Sequence, residues 1–141
     1  MKTYQHTQKA KLILISVGAI GAVFVILGWI LHPALFVVVP ILLLTGWVFH
    51  SLTVEVADGE LRWCFGPRLI RKRVPLAEIG IVKVVRTSTF EGWGIHYSRF
   101  GWLYNVSGRD AIAITLKDGK RFALGTDEPN KLAEALAHNA T

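Results

Sequence analysis

The chain has 141 residues and carries 16 Lys and Arg against 10 Asp and Glu, a net charge of +6, yet no charged side chain lies between Lys11 and Glu55. No soluble domain built from the other residues covers an uncharged run of 43 positions, which excludes a wholly water-soluble chain and leaves room for one small domain. The single cysteine, Cys64, excludes a disulfide framework and agrees with a reducing compartment.

Residues 1–11 read as a short basic tail on the cytoplasmic side, with Lys2, Lys9 and Lys11. A first transmembrane helix follows over residues 12–31. Of its 20 residues, 13 are Leu, Ile, Val or Phe. As a helix it reaches about 30 Å, the thickness of a bilayer's hydrocarbon core. At about −0.3 to −0.6 kcal/mol each, these side chains favour insertion by several kcal/mol as an upper bound. His32 and Pro33 break the run, and residues 34–50 return as a second, shorter span with a kink at Pro40. His50, Ser51 or local bilayer thinning supplies the missing length. The two limbs make a transmembrane hairpin over residues 12–50. A cleaved signal peptide is excluded, because the run is too long, lacks an A-x-A site and is followed by a second apolar segment.

Basic residues orient the hairpin. Lys2, Lys9 and Lys11 precede it, Arg62, Arg68, Arg71, Lys72 and Arg73 follow it, and the turn has none. The positive-inside rule puts both termini in the cytoplasm, beneath a multi-pass inner-membrane anchor. Trp29 and Trp47 fall near opposite interfaces. Gly18 with Ala22, and Gly21 with Gly28, each share a helix face and are the candidate helix-packing residues. They serve either packing between the two spans or homo-oligomerisation.

Residues 52–141 read as about seven short strands and one helix. "LTVEV" and "ELRWCF" alternate with period two about Asp58-Gly59, and "AIAITL" and "RFAL" flank Asp118-Gly119, so both pairs are hairpins. "LIRKRV" and "IGIVKVV" lie between them, joined by a helical turn over Pro75-Leu76-Ala77-Glu78. A closing helix is capped by Thr126 or Asp127, has Pro129 in its first turn and carries an apolar stripe of Leu132, Ala135 and Leu136.

This layout is that of a pleckstrin-homology-like barrel, in which a C-terminal helix closes one end of two orthogonal sheets. The segments "RVPLAEIGIVKV", "GWGIHY" and "LKDGKRFALGTDEPNKLAEAL" resemble the bacterial PH-like membrane proteins over nearly the whole chain. The resemblance implies two spans and a cytoplasmic PH-like domain, and supplies no catalytic residues. Lipid-reading PH domains grip inositol phosphates through a long basic loop between their first two strands. Here that loop is Asp58-Gly59 followed by Glu60, short and acidic.

The stretch "FEGWGIHYSRFGW", residues 90–102, crowds aromatic rings and glycines around His96. Gly92-x-Gly94 lacks the third glycine of a dinucleotide site, where Tyr97 stands, and no helix follows. The pattern suits a tight hairpin in which Trp93, Ile95 and Tyr97 share a face and Trp102, Tyr104 and Val106 alternate on the return. Its functional alternative is a contact edge of Arg99, Phe100 and Trp102, toward the bilayer interface or a protein partner. No histidine stands at ligand spacing from His96, and Ser98, Ser107 and Asp110 form no nucleophile pattern, so an enzyme, a metal site and a cofactor are not expected. The cluster Arg68, Arg71, Lys72, Arg73 is the strongest candidate site, for anionic headgroups or for a partner, with Lys83 and Arg86 as possible extensions. Read as structure alone, the same cluster is a solvated edge strand. Nucleic acid is not an expected partner, because +3 of the net +6 belongs to the tail. The chain reads as a membrane-tethered adaptor or binding module, with an accessory subunit acting through its helices as the alternative.

Overall fold

The computed structural model describes residues 4–88 and 94–139, and its first element is a strand. Strand β1, Tyr4–Lys9, runs directly into helix α1, Lys11–Ile30. A 3₁₀ helix, Pro33–Val37, and helix α2, Val38–Val48, bring the chain back to β2, Ser51–Ala57. Then come β3, Glu60–Phe65, β4, Ile70–Pro75, a 3₁₀ turn at Leu76–Glu78 and β5, Ile79–Arg86. Strands β6, Gly94–Ser98, β7, Gly101–Asn105, β8, Asp110–Leu116, and β9, Arg121–Gly125, precede helix α3, Pro129–Asn139.

The nine strands form a four-stranded sheet, β1-β2-β3-β4, and a five-stranded sheet, β5-β8-β9-β7-β6. About seven strands in a barrel were expected; the described residues hold nine, and the two sheets do not close into one barrel. One addition is the supposed tail. Residues 4–9 pair antiparallel with β2 from Tyr4↔Val56 to Lys9↔Ser51. Its alternation was masked by polar side chains, since an edge strand buries only part of one face.

Apolar alternation builds the interior as the sequence implies. Leu52, Val54 and Val56 on β2, and Leu61, Trp63 and Phe65 on β3, are all at most 5% exposed. Asp58 and Gly59 take φ of 54° and 73°, the left-handed pair of a tight hairpin turn. From the second sheet, Ile112, Ile114, Phe122 and Leu124 face the same core. Trp63 stacks on Phe122 at 5.0 Å, with Tyr104 edge-on at 5.3 Å, joining the sheets through aromatic rings. Thr126 Oγ1 accepts from Glu128 N at 3.0 Å at the start of α3, whose Leu132 and Leu136 are buried in the same core.

The helical pair is inserted between two neighbouring strands. Ala10 N donates to His50 O at 2.8 Å, continuing the β1–β2 ladder to the helix bases. Phe49 packs edge-on against Phe65 at 5.3 Å, and Ile13 also touches the core. Gly28 packs against the Phe36 ring, and a Cβ at Gly46 would meet Val17 at 3.4 Å. Among the described residues, only α1 is long and apolar enough to cross a membrane; the return limb, Pro33–Val48, is shorter. The sequence implied a kink at Pro40 inside the second limb; the α-helix starts at Val38, so Pro40 falls in its first turn. There the missing N–H has no intrahelical partner to lose, while residues 33–37 take the tighter 3₁₀ form.

Gly66, after β3, has φ of 47°, and a Cβ there would collide with Val48 O and approach Trp47 O at 2.8 Å. Gly59 also has a positive φ but open space around it. Gly59→Ala should therefore cost about 1 kcal/mol, the ordinary penalty of left-handed alanine. Gly66→Ala should cost about 3 kcal/mol, because backbone must move as well. Denaturant unfolding in detergent, followed by tryptophan fluorescence, measures both; equal losses would show that the β3–β4 turn does not press on the end of α2.

Candidate anion-binding face

Strands of the four-stranded sheet that send apolar side chains inward send polar ones outward. Register aligns Gln5, Glu55, Arg62 and Arg73 in one row across the sheet, and Thr7, Thr53, Cys64 and Arg71 in the next. The Thr7 and Thr53 hydroxyls bond at 2.9 Å. Over this face lies a cleft of about 460 Å³, bounded by Gln5, Thr53 and Glu55 on one side and by Arg68, Arg71 and Arg73 on the other. Arg62, Cys64, Trp63 and Lys72 complete its lining.

Its charge is uneven. Near the β2–β3 turn, Glu60 bonds Arg62 Nε at 2.8 Å and lies 3.8 Å from Arg73, while Asp58 lies 3.8 Å from Arg62. The Glu60 hydrogen bond holds the Arg62 guanidinium above its ordinary pKa. At the opposite end, Arg68, Arg71 and Lys72 have no acidic partner within 4.0 Å among the described residues. Arg68 also holds a left-handed φ of 64° in the β3–β4 turn, a conformation that costs a non-glycine residue about 1–2 kcal/mol. The next residue, Leu69, is 62% exposed.

Arg68, Arg71, Lys72 and Arg73, the candidate cluster of the sequence, all line this cleft. The reading missed Gln5, Thr53, Glu55, Arg62 and Cys64. The period-two alternation already put the last four on one face; Gln5 was lost with the supposed tail. Lys83 and Arg86 lie on β5 of the other sheet and take no part in the cleft lining.

The aromatic hairpin exists as β6 and β7, with Tyr97 opposite Trp102. Residues 89–93, including Trp93 and Gly92, lie outside the described residues. Gly101, with φ of 90°, lies where a Cβ would collide with Arg121 O, so close strand packing requires this glycine. Arg99 donates to Arg86 O at 2.9 Å and covers the Phe100 ring at 4.7 Å. Phe100 packs on the small cluster of Leu103, Ala111 and Ala123, while Trp102 stays half-exposed, edge-on to Tyr97 at 5.8 Å. Ser98 Oγ is engaged within the turn, donating to Gly101 O at 3.0 Å. Among the described residues no group of three or more potential metal ligands occurs.

Of the helix-packing residues, Gly28 is buried against Phe36, an intrachain contact. Gly18 and Gly21 have open space where a Cβ would stand, and Ala22 is exposed. Compared with protein-family models, with curated proteins and with solved structures, the chain matches none.

Strand β1, which supplies one wall of the cleft, is tied to the start of α3. His6 Nε2 lies 2.6 Å from Asp127 and Tyr4 OH 3.5 Å from Glu128, which also takes a 2.7 Å bond from Lys131. The Lys131 bond, with His6 beside it, holds the Glu128 carboxyl below its ordinary value of 4.5. Burial, then the Glu128 charge, pushes Tyr4 up to about 12 from 10.0. A lowered carboxylate stabilises the fold above its ordinary pKa and loses that contribution as pH falls. A raised phenol stabilises below its ordinary pKa and loses that contribution as pH rises toward the folded value. Chemical denaturation across pH should therefore show losses below about pH 4.5 and above about pH 10. Glu128→Gln should flatten the acid arm, and Tyr4→Phe the alkaline arm.

Proposed function

We propose that the chain is a membrane-anchored, non-catalytic binding module of pleckstrin-homology-like fold. Helix α1 and the return limb cross the bilayer as a hairpin, and the β domain lies beneath them in the cytoplasm. One observation carries this reading: both limbs expose apolar side chains around their circumference. The most apolar window of α1 has a mean hydropathy of 2.6 and is 6% buried. Ile15 and Ile26 on α1, and Leu43 on α2, are 67%, 56% and 64% exposed. A helix apolar all round requires lipid or protein about it.

The return limb supports a second crossing despite its length. Five residues of 3₁₀ helix rise further than five of α-helix, so Pro33–Val48 reaches about 26 Å. That falls within the tilt and thinning a bilayer accommodates. A cleaved leader fits poorly, because β1 precedes α1 and is paired with β2 along its length. Removal of α1 would strip the edge strand from the sheet. Lys9, Lys11, Arg68 and Arg71 all lie near the helix bases, which favours a cytoplasmic β domain. The PH-like reading rests on two sheets that share one core with a C-terminal helix.

The module binds through its basic cleft, and a tether makes weak contacts sufficient by raising local concentration. A second reading, an accessory subunit of a membrane complex, is favoured by the open space at Gly18 beside the exposed Ala22.

Topology is tested in inverted and right-side-out bacterial membrane vesicles, with cysteines introduced one at a time into a Cys64→Ser protein. Ala34→Cys should react with an impermeant maleimide only in right-side-out vesicles, and Asp58→Cys only in inverted ones. Reaction of both from the same side would overturn the hairpin. In nanodiscs, Gly18→Leu should leave the copy number unchanged; loss of a native oligomer would instead favour the subunit reading.

A further inference from the structure

We propose that the cleft on the outer face of the four-stranded sheet holds the phosphate-bearing headgroup of an anionic phospholipid. The lipid comes from the leaflet bordering the β domain, and Arg68 and Arg71 are the ligating cations. This deepens the membrane-anchored reading and rests on it.

Position is the first argument. Gly66 is pressed against the carbonyls of Trp47 and Val48, the closing residues of α2. Arg68 and Leu69 follow at once, so the β3–β4 turn stands at the base of the helical pair. With α1 and α2 in a bilayer, Leu69, 62% exposed, and Trp47, 51% exposed, meet the interfacial layer. The cleft then opens at headgroup level.

Charge is the second. The end of the cleft away from the helices is neutralised, with Glu60 between Arg62 and Arg73 and Asp58 close by. Glu55 shares the row of Arg62 and Arg73 and opposes an anion there. The helix-facing end carries Arg68, Arg71 and Lys72 without acidic partners among the described residues. An anion is attracted at the bilayer side and repelled beyond it. Guanidinium forks match phosphate oxygens in pairs, which an ammonium does not.

Size is the third. A volume of about 460 Å³ lies within the about 300–1,000 Å³ of small-molecule sites, enough for a headgroup rather than a lone ion. Thr53 and Gln5 on the opposite wall add hydrogen-bonding groups for glycerol or headgroup hydroxyls.

The chain's single cysteine lines the same cleft and reports on it. The full-length protein is placed in phosphatidylcholine nanodiscs with increasing fractions of phosphatidic acid, and Cys64 alkylation by N-ethylmaleimide is timed. Anionic lipid should slow the reaction severalfold. In Arg68→Gln/Arg71→Gln the lipid fraction for half-protection should rise about thirtyfold, since each charge near an anionic surface accounts for about fivefold. Arg71→Lys, which keeps charge without the fork, should fall between wild type and Arg71→Gln. Equal rates with and without phosphatidic acid, in protein that has incorporated, overturn the proposal and leave the anchor standing. So does protection that survives in the double variant, which is then a general surface-potential effect. Equal protection by glycerol 3-phosphate in neutral discs keeps the phosphate site but overturns the lipid as its source. Failure to incorporate into any disc overturns the anchor and this inference together.

Discussion

The antiparallel ladder between β1 and β2 is the constraint on which the rest of the molecule depends. It sets Lys9 opposite Ser51 and continues through the Ala10–His50 bond, so both helix bases emerge side by side from one sheet. Adjacent strands lie about 4.8 Å apart, and helices need about 8–10 Å between axes. The limbs must therefore diverge from their bases and lean on small residues, Gly46 beside Val17 and Gly28 beside Phe36. The helical pair is fused to the β domain through hydrogen bonds and through Phe49 on Phe65, rather than hung from it by a linker.

That fusion has a kinetic side. β1 and β2 are distant in sequence, and their pairing closes a loop made of the entire helical hairpin. Loop closure grows only slowly more costly with length, but a hairpin that brings its own ends together lowers the cost further. The other members of the four-stranded sheet pair through short turns. The far end of β1 is held by His6 and Tyr4 against Asp127 and Glu128, just before α3, so one short polar strand joins the helical pair, the sheet and the closing helix.

The two faces of the same sheet differ in chemistry. The inward face carries Leu52, Leu61, Trp63 and Phe65, which meet the Phe122 and Tyr104 rings of the other sheet and Leu132 and Leu136 of α3 in one buried apolar core. The outward face carries exposed ion pairs, which stabilise a fold by little. What they do is shape the field: Glu60 and Asp58 cancel the distal arginines, and the helix-facing cations remain.

Much of this was legible in the residues themselves. An uncharged run after Lys11 declares an apolar helix, because such side chains find no place in water. Alternation about Asp58-Gly59 and Asp118-Gly119 declares hairpins and sorts Thr53, Arg62 and Cys64 from the core. The stripe of Leu132 and Leu136 declares a helix with one buried face. These are local signals, set by the geometry of one strand or one turn. Tertiary structure alone decided that Tyr4–Lys9 is a strand, since its pairing partner lies beyond the helices. It alone placed Pro40 in the first turn of α2, which begins at Val38, and brought Gln5 across from the basic strand. It also left the two sheets unclosed, pressed the β3–β4 turn against the end of α2, and divided the cleft into a neutral half and a cationic one. Each of those outcomes depends on which distant segments become neighbours, and that information is carried by the packing of the whole chain, not by the period of any part of it.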